Sequence, residues 1–242
     1  MRSHIFVIVL LLLAGPAVGV ATSDMPNTST EEIVHQAMTD LWESQYTHER
    51  QVILKNTTTG EKENSGVEFT EHVDNDGEKY YGIYKPSGTA VVTEIYGDDV
   101  AGLMSTSETD EWRLDLTLRY QQKHVNPLGN LDVLLKTNMS TKESGEETLI
   151  VQIDDPHSVE ELVMDDHFYS PLDGNETITI HIDKDMAAVT KIEIVGKEED
   201  VKRTIVSDID HNSESDVNRP DDASFTLTEI YHRIMDIITN IF

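Results

Sequence analysis

The feature that most constrains the fold is a change in the spacing of apolar residues near residue 49. Before it, apolar side chains recur every three or four positions, and from Glu49 onward they recur every second position. The first spacing is typical of one face of a helix, and the second of a strand with one buried face. The sequence therefore predicts an α+β fold in which a helix precedes an antiparallel meander.

The N-terminal helix has a clear start. Ser29-Thr30-Glu31-Glu32 is typical of a capping box, in which Ser29 and Glu32 satisfy each other's backbone N–H groups. We predict an amphipathic helix that ends near Ser44. Its apolar stripe comprises Ile33, Val34, Ala37, Met38, Leu41 and Trp42.

Short runs with a period of two indicate the strands of the meander. Turn-forming residues separate these runs, among them Asn75-Asp76-Gly77 and Gly97-Asp98-Asp99. The first runs contain Val52 and Leu54, Val67 and Phe69, Tyr81 and Ile83, and Val91, Thr93 and Ile95. Later strands are predicted at Thr148 to Ile153, Thr177 to Ile182, Val189 to Val195 and Val201 to Val206.

The middle of the chain combines a strand pattern with a helical one. From Trp112 to Tyr120 apolar and polar residues alternate, which favours a strand, although residues 114 and 118 are also one helical turn apart. After the turn Asn126-Pro127-Leu128-Gly129, the spacing of Leu131, Leu134 and Leu135 predicts a short helix against the sheet.

The C-terminus returns to helical spacing. Thr226 and Glu229 form a second capping box, which predicts an amphipathic helix over about 227–242. Two interpretations remain open: the helix closes the core, or it makes a self-association or partner contact. Its stripe comprises Leu227, Ile230, Tyr231, Ile234, Ile238 and Ile241.

The first residues predict export. Arg2 precedes an apolar stretch from Ile5 to Ala14, and small residues follow up to Ala21, so we predict a signal peptide over 1–21. A retained anchor is the alternative, but a span needs about 20 apolar residues, and Gly15-Pro16 interrupts this stretch. The remainder, 29–242, is predicted to be one domain located outside the cell or on its surface.

Acidity limits the classes of partner. The chain has 46 Asp and Glu against 18 Lys and Arg, for a formal net charge of -28. Salt near 1 M reduces the Debye length to about 3 Å and screens the resulting repulsion. We therefore predict a folded halophilic protein, with disorder as the alternative, and we expect no nucleic-acid or acidic-lipid surface as partner.

Signals for catalysis are weak. The chain has no cysteine, which excludes disulfides and thiol catalysis, and it lacks the common nucleophile, zinc and phosphate-loop motifs. The acidic and histidine residues near 154–157 and 165–167 are expected by chance in so acidic a chain. We predict no catalytic residue, no metal site, no cofactor and no enzymatic activity. Glycosylation sequons begin at Asn27, Asn56, Asn138 and Asn175.

The order of these elements resembles exported lipoprotein carriers of the LolA and LppX type over roughly residues 29–222. The resemblance depends on Ile95-Tyr96-Gly97-Asp98-Asp99 followed by Trp112, on the helix after Pro127-Leu128, and on Ile178-Thr179-Ile180-His181-Ile182-Asp183. A closing strand before Val217-Asn218-Arg219-Pro220 completes it. The strong acidity, which is haloarchaeal in style, and the helix after residue 224 depart from that pattern.

The resemblance implies a strongly curved antiparallel sheet, an unclosed half-barrel, wrapped over helices around a hollow that accepts acyl chains. It implies an exported carrier or sensor of a lipid-like ligand, with a lipid or lipid-modified protein as partner. A non-catalytic cell-surface interaction module with a filled core is the alternative, because the same side chains would make an ordinary core. The candidate ligand-binding residues are Trp42, Phe69, Tyr81, Ile83, Val91, Trp112, Leu114 and Leu116.

Overall fold

The computed structural model describes residues 29–85, 90–118, 120–121, 125–163, 176–212 and 217–221. The predicted signal peptide and the predicted C-terminal helix both lie outside these ranges. Within them, no helix combines the length and the apolar character needed to cross a bilayer.

Helix α1 spans Thr30–Glu43, as predicted. The capping box is present: the backbone N–H of Ser29 donates to Glu32 Oε2 at 2.7 Å, and that of Glu32 donates to Ser29 Oγ at 3.2 Å. Hydrogen bonds to the carboxylate, from the Ser29 backbone first and from the Ser29 side chain second, lower the pKa of Glu32. The helix ends where Ser44 adopts an extended conformation. The apolar stripe buries Ala37, Met38, Leu41 and Trp42.

Eleven strands form one antiparallel sheet in the order β6-β5-β4-β3-β2-β1-β11-β10-β9-β8-β7. The first and last strands pair at the centre, while β6 and β7, which are consecutive in the chain, occupy opposite edges. The sheet is therefore open across the described residues, as predicted. The strands are β1 Gln45–Asn56, β2 Lys62–Asp74, β3 Lys79–Lys85, β4 Thr93–Gly97, β5 Gly102–Thr106, β6 Arg113–Leu114, β7 Ser140–Ser144, β8 Thr148–Ile153, β9 Thr177–Asp183, β10 Ala188–Glu198 and β11 Val201–Asp210.

One face of this sheet carries the main core. Alternate residues of β9, from Ile178 to Ile182, are fully buried, and Leu149, Val151 and Ile153 of β8 are buried beside them. Helix α1 packs on this face over β10. The period-two pattern of these strands therefore reflects burial on one side.

The described residues contain two shorter α-helices besides α1. Helix α2, Leu131–Lys136, is the predicted short helix, and Asn130 caps it by accepting the backbone N–H of Val133 at 3.2 Å. Helix α3, Pro156–Val163, was not predicted. Asp155 starts it, because its carboxylate accepts both the backbone N–H and the hydroxyl of Ser158, at 2.9 and 2.7 Å.

The strand predicted from Trp112 to Tyr120 is wrong over most of its length. Only β6 pairs with β5, and a 3-10 helix follows at Leu116–Leu118. The cause is Asp115, whose Oδ1 accepts the backbone N–H and the hydroxyl of Thr117, so that a local side-chain bond replaces the ladder. Strands β5 and β7 were not predicted.

A second, smaller apolar cluster lies on the opposite face, near β4, β5 and β6. Tyr80 and Ile95 belong to the main core, whereas Tyr96 and the half-buried Tyr81, their neighbours in the chain, pack in this second cluster. Adjacent strand residues point to opposite faces. Both faces of this end of the sheet are therefore partly covered. The buried members are Tyr96, Ala101, Leu103, Leu114 and Val217.

Candidate ligand-binding cleft

A cleft opens between α1 and α2, above the edge strand β7 and its neighbour β8. Its volume is about 440 Å³. Helices α1 and α2 supply two walls, the segment from Thr137 to Met139 supplies a third, and β8 lies beneath. The lining residues are Thr30, Glu31, Val34, His35, Met38, Leu134, Leu135, Thr137, Asn138, Met139, Thr141 and Val151.

The floor of the cleft is apolar. Met38 and Leu134 are fully buried and Val151 is 1% exposed, although all three line the cleft. Val34 and Met38 are four residues apart on α1 and therefore lie on one face of the helix. Methionine is unbranched and adapts to differently shaped apolar partners. The half-buried Val34, Leu135 and Met139 extend this surface toward the opening.

The rim of the cleft is polar. Glu31, His35 and Asn138 are exposed, whereas Thr137 is held in place. The Thr137 hydroxyl donates to the Val133 carbonyl at 2.7 Å, and its backbone N–H donates to Leu134 at 3.3 Å. Among the described lining residues Glu31 carries the one carboxylate, and none of them is a lysine or an arginine. An apolar floor beneath a few polar groups is the usual composition of a small-molecule site.

A second cleft, of about 570 Å³, lies on the other side of the segment 137–139. That segment lines both clefts and separates them. The second cleft is lined by Lys136, Asp154, Asp155 and Glu161 among others, so it is the more charged of the two. Hydrogen bonds from the Ser158 side chain and backbone lower the pKa of Asp155. The first cleft has fewer charged lining side chains, and for that reason we take it as the candidate site for an apolar ligand.

The structure does not bring the predicted ligand-binding residues together. Trp42 and Phe69 are buried in the main core, whereas Leu114 is buried in the cluster on the opposite face. Tyr81 and Trp112 pack against that same cluster. None of these residues lines either described cleft.

The other three predicted residues also lie away from the clefts. Ile83 is two residues beyond Tyr81 in β3 and shares its face. Val91 is half-buried just before β4, and Leu116 belongs to the 3-10 helix. Sequence reasoning found large apolar residues in alternating runs, but burial alone does not separate a core from a cavity wall.

Several cleft residues had a sequence signal that pointed to a different role. Val34 and Met38 belong to the predicted stripe of α1, and Leu134 and Leu135 belong to the predicted short helix. Met139 and Thr141 lie in or beside β7, which the sequence did not reveal. The cleft therefore depends on long-range packing between elements that are far apart in the chain.

A polar cluster interrupts the apolar face of the sheet on β1 and β2. His48 is fully buried and lies directly opposite Glu71, with Nε2 at 2.9 Å from Oε2. Neither ring nitrogen of His48 has a hydrogen bond of good geometry. The ring lies between Tyr46 and Phe69, with centroid separations of 6.0 and 5.9 Å. Arg50, on the same face, is also buried.

Tyr46 connects this cluster to the loop before α2. Its hydroxyl donates to Asn126 Oδ1 at 2.7 Å. Burial, followed by the negative charge of Glu71, raises the pKa of this tyrosine well above its ordinary value. Neither described cleft is lined by a residue of the cluster, so we assign it a structural role.

Two of the four sequons and the segment 154–157 lie within the described residues, whereas the segment 165–167 lies outside them. Asn56 Oδ1 accepts the backbone N–H groups of Thr58 and Thr59 at 2.9 and 3.0 Å, and Asn138 is exposed at the cleft rim. Asn27 and Asn175 lie outside the described residues, and glycosylation stays a prediction. Among the described residues, no group of three or more His, Asp or Glu side chains is placed to hold a metal ion.

Comparison with known proteins gives structural neighbours only. No protein-family model matches the sequence, and no curated protein matches it. The structure is similar to a DUF1329 family protein from Desulfovibrio piger, with 11% identity, a TM-score of 0.35, and coverage of 84% of this chain and 99% of that one. It is also similar to a LolA superfamily protein from Nitrosomonas europaea, with 6% identity, a TM-score of 0.33, and coverage of 78% and 97%.

A third neighbour is a putative outer membrane lipoprotein-sorting protein domain from Vibrio parahaemolyticus. Its identity is 8%, its TM-score is 0.31, and the match covers 85% of this chain and 97% of that one. The superfamily that the sequence resembles is therefore among the structural neighbours. The TM-scores of 0.31–0.35 are too low for these neighbours to indicate a function for this chain.

Proposed function

We propose that this chain is a non-catalytic carrier or sensor that binds one apolar chain of a lipid-like ligand in the cleft between α1 and α2. The observation that supports this proposal is the apolar floor, where Met38, Leu134 and Val151 are buried by the protein and still face the cavity. The half-buried Val34, Leu135 and Met139 lie beside these residues and provide the accessible apolar surface on which a hydrocarbon chain can pack.

The size of the cleft favours a single chain. A volume of about 440 Å³ lies in the lower half of the range of about 300–1,000 Å³ for small-ligand sites. Burying ten methylene groups contributes about 8 kcal/mol before the costs of association are subtracted. The gain from one alkyl chain is therefore comparable to the cost of association, about 4–15 kcal/mol, and contacts at the rim add to it.

The proposal extends to the shape of the sheet and to the location of the protein. We propose that the open sheet curves around the helices as an unclosed half-barrel, as the resemblance implies. We also propose that the leader over 1–21 directs the protein to the cell surface or the exterior, where its partner is a lipid or a lipid-modified protein. Neither step requires a catalytic residue, a metal or a cofactor.

A matched pair of substitutions tests the cleft. Val34→Phe enlarges a half-buried wall residue of the cleft, whereas Ile33→Phe enlarges a half-buried neighbour on α1 that does not line it. We expect Val34→Phe to weaken binding of a neutral fluorescent apolar probe, N-phenyl-1-naphthylamine, at least tenfold. Ile33→Phe should leave binding unchanged, and the melting temperatures show that both variants are folded.

The result that would contradict the proposal is equally specific. Absence of saturable one-to-one binding by the wild type in about 2 M salt, where repulsion among the acids is screened, would exclude a carrier. An equal loss of probe binding in the two variants would mean that the probe binds outside the cleft.

The edge strand β7 favours a second candidate, a surface interaction module. All five of its residues are exposed, and β7 is the last strand of the sheet as described. An edge strand can pair with a strand of a partner. Self-association measured by light scattering, unchanged in Val34→Phe and accompanied by no probe binding, would favour this function over the carrier.

A further inference from the structure

We infer that the cleft selects a ligand with an uncharged, hydroxyl-bearing head group, such as a long-chain alcohol or a monoacylglycerol, and discriminates against fatty-acid carboxylates. This inference rests on the proposed function and names its ligand class. It follows from the rim residues, which contact the head group when the alkyl chain occupies the floor.

The first step concerns charge. The ionisable lining residues of the cleft are Glu31 and His35, and no lysine or arginine is among them. A carboxylate at this rim would lose part of its hydration without a cationic partner, which is costly. It would also approach the carboxylate of Glu31. Molar salt screens the distant acids of the surface but has less effect on a contact of a few ångströms.

The second step concerns hydrogen bonds. The Thr141 hydroxyl can donate or accept, and the Asn138 amide offers both roles when its sequon carries no glycan. The Thr137 hydroxyl already donates to the Val133 carbonyl, so its oxygen remains able to accept a bond. A head-group hydroxyl can donate one hydrogen bond and accept another. It can therefore pair with both the acceptors and the donors of this rim.

Matched ligands test the preference directly. We would displace bound N-phenyl-1-naphthylamine from the full-length mature protein with 1-decanol or decanoate, which have the same chain length. The titrations use about 2 M salt and about pH 8, where histidine side chains are usually neutral. We expect 1-decanol to displace the probe at a concentration at least tenfold lower than decanoate.

Reversing the charge of Glu31 tests whether its carboxylate causes the preference for 1-decanol over decanoate. Glu31→Lys places a cation at the rim and should strengthen decanoate binding about fivefold relative to 1-decanol. Glu43→Lys is the control, because it makes the same change in net charge on an exposed residue at the other end of α1. The two positions are about 18 Å apart along the helix. Thr141→Lys provides a cation from the strand side, in case Glu31→Lys weakens the first turn of α1.

Each outcome is decisive. Decanoate binding as tight as 1-decanol in the wild type would overturn the inference while leaving the carrier function intact. An unchanged ratio in both Glu31→Lys and Thr141→Lys would also overturn it, as would an equal change in Glu43→Lys. If the probe does not bind the wild type at all, the proposed function fails and this inference fails with it.

Discussion

The buried contact between His48 and Glu71 leads to a quantitative prediction about stability. The two side chains lie opposite each other on β1 and β2, and they are 0% and 6% exposed. His48→Leu leaves a buried carboxylate without the imidazole, which should cost about 3–5 kcal/mol in the free energy of unfolding. Glu71→Leu leaves a buried imidazole without the carboxylate, which should cost about 1–3 kcal/mol.

The double variant separates the contact from its surroundings. Replacing both residues with leucine removes both buried polar groups, and such exchanges are often neutral or stabilising by about 1–4 kcal/mol. Effects of Glu71 on the neighbouring Arg50 occur in the single and the double variant alike, so they cancel in the cycle. We therefore expect the double variant to lose less stability than the sum of the two single losses.

Urea unfolding in about 2 M salt, followed by circular dichroism, measures this cycle. The dependence of the unfolding free energy on urea should stay constant across the four proteins, which shows that the same surface is exposed. Costs that add within about 0.5 kcal/mol would mean that the two groups do not interact. The reasoning from their distance and burial would then be refuted.

Three further predictions concern salt, alkaline pH and one glycine. With a net charge of -28, the melting temperature should rise steeply between dilute buffer and molar salt, and a melting temperature indifferent to salt would argue against a halophilic protein. Burial raises the pKa of Tyr81 and Tyr96 to about 12, whereas unfolded tyrosine ionises near 10. The unfolded chain therefore loses protons first, and stability should fall as the pH rises from about 10 to 12, which melting curves and tyrosinate absorbance would show. Gly97→Ala should destabilise the fold by more than about 1 kcal/mol in urea titrations, because the added Cβ would overlap the Tyr80 ring and the Leu118 carbonyl; unchanged stability would mean that these neighbours can move.

Local chemistry explains the parts of the fold that were predictable. The capping pair of Ser29 and Glu32 and the stripe after it are contained within a few turns, so the bounds of α1 follow from the sequence. The turn at Asn75-Asp76-Gly77 is similarly local, since Asp74 accepts the Gly77 backbone N–H at 2.8 Å. Alternation likewise identifies the strands with one buried face.

Other parts depend on contacts between distant segments. The pairing of β1 with β11 joins residues more than 140 positions apart, from Asn56 with Val201 to Thr47 with Asp210, and no local pattern specifies it. The alternation after Trp112 was misleading because Asp115 forms a bond within its own turn. Tyr81 and Phe69 are both aromatic and both lie in strands, but the pattern alone does not indicate that they face opposite sides.

The cleft lies between two covering helices of different length. Helix α1 has 14 residues and α2 has 6, so they extend for about 21 and 9 Å. The buried residues of α1, from Ala37 to Trp42, lie in its second half, whereas Thr30 and Glu31 of its first turn line the cleft together with Val151. Salts that are excluded from protein surfaces strengthen apolar burial, while they also screen the acidic exterior. The conditions that stabilise this chain should therefore also favour an alkyl chain in its cleft.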